Sequence, residues 1–367
     1  MLEEMKYPVY EPYMAGSEEA YVVDALRSGW ISSRGKYLSL FEDAFANYLG
    51  VKHATAVSNG TTALHLALMA LDISPGDEVI VPTFTYVATA NAISYVGATA
   101  VFCDSEPRSW NIDVEQVRSL ITARTKAILA VHIYGAMCDM KALLQLCKDN
   151  DIFLIEDTAE ALGSELYGLK AGSFGDIATF SFYGNKTITT GEGGMVVAKS
   201  DCHFDRIVSL KNQAMCKSRR YWHEEVGFNY RMTNICAAIG LAQLSQLDEI
   251  LEKKASIAAW YAQELKDCPV IFQDLSPGVR SSYWMVSILL ESEADRDKLV
   301  AGLASAGVET RPLFFPVHTM PMYERNSSFP VAEHISRIGI NLPSYPGLSK
   351  PDVREISAEI KQLITGR

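Results

Sequence analysis

Short apolar runs alternate with helical periods from residue 54 onward, and this pattern constrains the fold most. Strand-like runs occur at Ala54–Val57, Glu78–Val81, Ala100–Cys103, Ala127–His132 and Phe153–Ile155. Helical periods at Thr61–Leu71, Tyr86–Tyr95 and Met140–Asn150 lie between them, and further strands follow at Ala178–Phe182 and Met195–Ala198. Such alternation predicts an α/β fold with a mostly parallel sheet covered on both faces. Right-handed crossovers would bring the carboxyl ends of the strands to one rim, where ligands collect. Upstream, amphipathic helices at residues 20–28 and 38–50 flank the loop Gly29-Trp30-Ile31-Ser32-Ser33. Downstream, a helical stretch runs from Thr233 to Leu265 with a break inside it. After it come Tyr283–Leu290, a helix at Asp295–Ala306, a Pro-rich stretch at Arg311–Pro321 and a helix at Pro351–Ile364. This change of texture predicts a large domain over residues 1–250 and a smaller α/β domain over 251–367.

Composition narrows the function. Hydrophobic residues make up 48% and charged residues 21%, which supports a globular core and excludes a disordered chain. The net charge of −11 argues against a nucleic-acid partner. Seven cysteines with no C-x-x-C pair read as reduced thiols of a cytoplasmic protein. The acidic, proline-broken start MLEEMKYPVYEPYM does not resemble a signal peptide, and no window of about 18 apolar residues predicts a membrane span.

Three segments carry chemistry. Ser58-Asn59-Gly60-Thr61-Thr62 joins a strand to a helix, so its backbone N–H groups suit a phosphate, or simply cap the helix. Phe153-Leu154-Ile155-Glu156-Asp157 runs an apolar strand into two acids. There Asp157 would pair with a protonated ring nitrogen, bind a metal or cap the next helix. The third segment, Thr179 to Lys186, places a lysine directly after an aromatic strand, and Gly191-Glu192-Gly193-Gly194 follows. Lysine is rare away from solvated surface, and glycines permit a close backbone path. Phosphate cradle, carboxylate and lysine on one scaffold are what pyridoxal 5'-phosphate requires. No metal site is expected.

These segments resemble the DegT/DnrJ/EryC1/StrS sugar aminotransferases. The resemblance runs from about Tyr7 to Leu363 and also rests on Trp30 to Gly35, Pro82 to Tyr86, Glu156 to Ala161 and Gly227 to Met232. It implies the aspartate-aminotransferase fold (type I) and a set of roles. Lys186 would bond to the cofactor and shuttle protons, and Asp157 would pair with the ring nitrogen. Tyr86 would stack on the ring. Gly60, Thr61 and Ser181 would hold the phosphate. Asn229 would reach the phosphate of a neighbouring subunit, making the active unit at least a homodimer. Glu160 would lie near the ring hydroxyl, where many members of the family carry Gln. Phe182 to Thr190, Arg220 to His223 and Pro316 to Tyr323 resemble the perosamine-forming subgroup. That implies transfer of an amino group from L-glutamate to C4 of a GDP-linked 4-keto-6-deoxymannose. The alternatives are a UDP- or dTDP-linked keto sugar, transfer at C3, or a regulator that binds the cofactor without turnover.

Between Arg206 and Arg231 six cations face two acids, a local sum of +4. This is either a solvated face or a site for the diphosphate of a nucleotide sugar. Trp30, Ser32, Arg220, Tyr221, Arg231, Arg311 and His318 are the substrate-contact candidates.

Overall fold

The computed structural model describes residues 5–14, 16–323 and 327–366. In chain order the elements of the first half are α1 (Glu18–Ser28), α2 (Lys36–Leu49), β1 (Ala54–Val57), α3 (Gly60–Ala70), β2 (Glu78–Pro82), α4 (Ala88–Tyr95), β3 (Thr99–Cys103), α5 (Val114–Leu120), β4 (Thr125–Val131), α6 (Met140–Asn150) and β5 (Phe153–Asp157). A short hairpin of β6 (Glu165–Leu166) and β7 (Leu169–Lys170) precedes β8 (Ile177–Ser181), β9 (Gly194–Ala198) and α7 (Asp201–Leu210). The remainder comprises α8 (Asn234–Ser245), α9 (Leu247–Glu264), β10 (Ile271–Phe272), β11 (Val279–Arg280), β12 (Val286–Leu289), α10 (Glu293–Ser305), β13 (Arg311–Pro312), α11 (Pro330–Ile338), β14 (Gly339–Leu342) and α12 (Lys350–Thr365).

Seven strands form the main sheet in the order β1-β9-β8-β5-β4-β2-β3. The pairs β2–β3, β2–β4, β4–β5 and β5–β8 are parallel, whereas β9 runs antiparallel to both β8 and β1. Strand periodicity divides the side chains between two cores. Val79, Val81, Leu129 and Ile155 enter one, and Ile80, Ile128, Ala130 and Leu154 enter the other. Burial on both faces explains why these strands read as continuous apolar runs. The register Asp157↔Thr179 puts the carboxyl ends of β5 and β8 side by side, which creates the rim for the site.

The break in the long helical stretch falls at Gln246, between α8 and α9. A second sheet, antiparallel and ordered β10-β12-β14-β13, packs against α9, α10 and α12 through Ile257, Tyr261, Val286, Ile288, Leu299, Ile340 and Ile356. Tyr7 belongs to this cluster too and bridges Val308. Within the run Tyr283–Leu290 the strand β12 occupies Val286–Leu289, and Tyr283, with a φ of 46°, stands outside the ladder. Elements that the periodicity above does not single out are α5, α7, α11, β10, β11, β14 and the small hairpin. All seven cysteines are free thiols, with Cys103, Cys138 and Cys147 buried. Among the described residues, no helix is long and apolar enough to cross a membrane.

Candidate active site

A cavity of about 450 Å³ opens where α3 begins and where β5 and β8 end. Gly60, Thr61, Tyr86, Asp157, Glu160, Ser181 and Lys186 all line it. Local sequence builds each wall. Asn59 caps α3 by accepting the Thr62 N–H at 2.9 Å, and the Thr62 hydroxyl returns the contact to the Asn59 N–H at 3.3 Å. That box leaves the Gly60 and Thr61 N–H groups without partners among the described residues, at the positive end of the helix. Gly60 is required by close approach, since a Cβ there would lie 2.8 Å from the Ser181 Cβ. Helix terminus and Ser181 hydroxyl thus form one cradle for an anion.

The two acids of β5 part company because neighbouring strand residues face opposite sides. Asp157 turns toward the cavity, where the Thr89 hydroxyl donates to it at 2.9 Å and the Ala159 N–H at 3.1 Å. Burial raises its proton affinity, against those donors and Lys186. Glu156 turns away, beneath the site. It accepts from the N–H groups of Gly172, Phe174 and Gly175 at 2.9, 2.8 and 2.6 Å, and pairs with His132 Nε2 at 3.0 Å. The His132 Nδ1 accepts the Cys138 N–H at 3.2 Å, so the ring proton sits on Nε2 and points at the carboxylate. Burial pushes the Glu156 carboxyl up, but these donors more than offset it and hold it below the usual range.

Lys186 follows β8 on a turn closed by its own N–H to the Tyr183 carbonyl at 2.9 Å. Enclosure lowers its proton affinity, while Glu160 and Asp157 act in the opposite sense. Glu160 accepts the Tyr134 N–H at 2.7 Å, and burial pushes its carboxyl up to about 7. A buried acid of this kind costs stability once ionised, so the penalty grows as pH rises from the unfolded value of 4.5 to about 7. Glu160→Gln should therefore gain stability relative to the parent over that interval. Thermal unfolding of the cofactor-free proteins at several pH values checks this, and a constant difference would refute it.

The donor set fits pyridoxal phosphate. The cradle suits its phosphate, Asp157 its ring nitrogen, Tyr86 a ring face and Lys186 its aldehyde. Asn185 adds to the same wall a buried amide oxygen with no partner among the described residues.

The other candidates lie off this wall. Asn229 accepts from the Arg231 guanidinium at 3.1 Å. The Arg220 guanidinium lies over the Tyr221 ring, which is 74% exposed. Trp30 is exposed, and the Ser32 carbonyl accepts the Asn234 N–H at 2.7 Å. Arg311 pairs with Glu309 at 3.2 Å. His318 is buried, with Nδ1 2.7 Å from the Thr83 hydroxyl and Nε2 3.2 Å from Glu333, the bonds of a bracing histidine. The +4 sum is partly cancelled in space. Arg206 meets Asp72 and Glu225, Lys211 meets Glu42 and Lys217 meets Asp205.

Residues that sequence reasoning missed are Thr89, Asn185, Trp284 and Phe314 on the wall, and Tyr10 and His132 behind it. A signal existed for Thr89, which stands one helical turn after Thr85 and shares a bond with it at 3.1 Å. Trp284 carries no local signal, since it reaches the lysine from the second sheet's side of the chain.

Residues 12–361 match the DegT/DnrJ/EryC1/StrS aminotransferase family. The GDP-perosamine synthase of Vibrio cholerae is 52% identical over 359 residues, covering 96% of this chain and 98% of that one. The GDP-perosamine synthase of Escherichia coli O157:H7 is 51% identical over 365 residues, covering 99% and 100%. A crystal structure of the aminotransferase TlmJ from Streptoalloteichus hindustanus matches with a TM-score of 0.94 at 31% identity, over 99% of both chains. The sugar-aminotransferase motifs and the lysine-bearing cavity thus have one source: the chain belongs to the DegT/DnrJ/EryC1/StrS aminotransferase family.

Proposed function

We propose that this enzyme uses pyridoxal 5'-phosphate to move the amino group of L-glutamate onto the C4 carbonyl of GDP-4-keto-6-deoxymannose, giving GDP-perosamine. The observation that carries the reading is the convergence of Lys186, Asp157 and the start of α3 on one cavity, in a chain about half identical to two GDP-perosamine synthases along nearly their whole length. When bound, the cofactor supplies a conjugated ring that takes up the electron pair released as a substrate C–H bond breaks. Asp157 holds a proton on the ring nitrogen. Gly60, Thr61 and Ser181 hold the phosphate, and Tyr86 covers a ring face. Lys186 would relay a proton between the substrate carbon and the cofactor in each half of the reaction, a task for which enclosure lowers its proton affinity.

In this reading the active unit is a homodimer. Asn229 lies off its own chain's cavity wall and would complete the partner's cradle, with Arg220, Tyr221 and Arg231 near the incoming diphosphate. Trp30, Ser32, Arg311 and His318 would line the path of the sugar or brace it. The enzyme would work in the cytoplasm. A second reading keeps the chemistry and changes the nucleotide or the carbon attacked.

Product analysis separates the two. Purified protein is given L-glutamate and, in parallel, GDP-, UDP- and dTDP-linked 4-keto sugars. GDP-perosamine as the main product supports the proposal. Amination of the UDP or dTDP sugar at tenfold or higher kcat/KM, or at C3, overturns it.

A further inference from the structure

Two bonds from distant parts of the chain pin the turn that carries Lys186. The Trp284 indole N–H donates to the Asn185 carbonyl at 2.7 Å, and the Tyr10 hydroxyl donates to the Lys186 carbonyl at 2.7 Å. Trp284 also presents its ring to the lysine, with Nζ 4.0 Å from the ring centroid. That ring cannot swing aside. It is buried, and it stacks on Tyr134 (6.1 Å, 15°) and Phe314 (6.4 Å, 25°).

We propose that Trp284 is a positioning residue for Lys186: its N–H holds the lysine turn in place, and its ring face seats the ammonium whenever the lysine is not bonded to the cofactor. The purpose rests on the aminotransferase reading above. A lysine freed during the reaction has four rotatable carbons and must stay aimed at the reacting atoms. The charged groups facing it are Asp157 on β5 and Glu160 just beyond. Two nearby hydroxyls are committed elsewhere: that of Tyr134 accepts the Phe314 N–H, and that of Tyr10 donates to the Lys186 carbonyl. A carboxylate seat alone would hold the ammonium too firmly to give up its proton. An aromatic face attracts the cation without a full opposite charge.

The test reads the lysine itself in cofactor-free, full-length protein. Trace labelling with acetic anhydride across a pH series, followed by mass spectrometry of the Lys186 peptide, gives the midpoint at which the amine becomes nucleophilic. Trp284→Leu should lower that midpoint by about one pH unit, from the loss of a desolvated cation–π contact. Tyr10→Phe removes a bond to the carbonyl only and should leave the midpoint in place, even if it lowers thermal stability. A Trp284→Leu midpoint equal to the parent's, or a Tyr10→Phe shift as large, overturns the proposal. Should the leucine variant not fold, Trp284→Phe decides: its weaker ring must lower the midpoint by part of that unit, and an unchanged midpoint overturns. No sugar is involved, so this result stands apart from the product analysis.

Discussion

Replacing Lys186 with alanine should lower turnover by at least about 10⁴-fold and abolish the visible absorbance of cofactor-loaded protein. One side chain supplies both the covalent hold on the cofactor and the proton relay. A positioned acid–base group alone accounts for about 10²–10⁴-fold. No second lysine lines the cavity among the described residues, so nothing stands ready to substitute. Lys186→Arg should be as inactive, because a guanidinium stays charged near neutral pH and cannot relay the proton. Neither change should unfold the protein, since the turn is held through main-chain carbonyls at Asn185 and Lys186 that both variants keep. Thermal melts alongside activity check this. Appreciable turnover by a folded alanine variant would sink the mechanism.

Glu156→Ala should cost about 3–5 kcal/mol, the range for breaking a buried charged cluster by removing one member. The change strips the acceptor from three N–H groups, two of them buried, and from His132 at once. Measured against a total stability of about 5–15 kcal/mol, this brings the fold to its margin. Glu156→Gln keeps an acceptor oxygen and should lose clearly less. The parent's own pH dependence follows from the same contacts. A carboxyl held below 4.5 stabilises the fold above that pH, and the contribution vanishes as pH falls through the folded value. Denaturant midpoints at unchanged m-value measure both effects. An alanine variant as stable as the glutamine one would show that the cluster does not hold the fold.

Much of this was legible in the sequence where physics acts locally. The main-sheet strands announced themselves through continuous apolar runs, and the cradle through Asn59-Gly60-Thr61 at a strand–helix junction. Lys186 stood out as a cation beside an aromatic strand. Distant partners left no such trace. The start of α11 is capped by Asp104, whose carboxylate accepts from Val331 and Ala332 at 3.1 and 2.8 Å, a partner more than 220 positions away that no local pattern reveals. Glu156 and Asp157 look alike in the sequence, and only the burial of both sheet faces assigns one to the cavity and the other to the frame. The partners of the basic stretch are equally invisible in it, because Asp72, Glu42 and Asp205, which meet Arg206, Lys211 and Lys217, lie outside residues 206–231.

The placement of β9 bears on how the protein is made. β1 pairs through Ala54↔Val197 to Val57↔Gly194, and it touches β8 only by way of β9. Gly60 meets Ser181, and the Asn59 carbonyl crowds Gly194. While the chain emerges from the ribosome, Gly60 must therefore wait for Ser181, and β1 for β9 beginning at Gly194, before the cradle can close and be fixed. Long loop closure of this kind slows folding and exposes β1 as an unpaired edge meanwhile. A nascent chain stopped before residue 194 would hold the helix that greets the phosphate and lack the strand that fixes it.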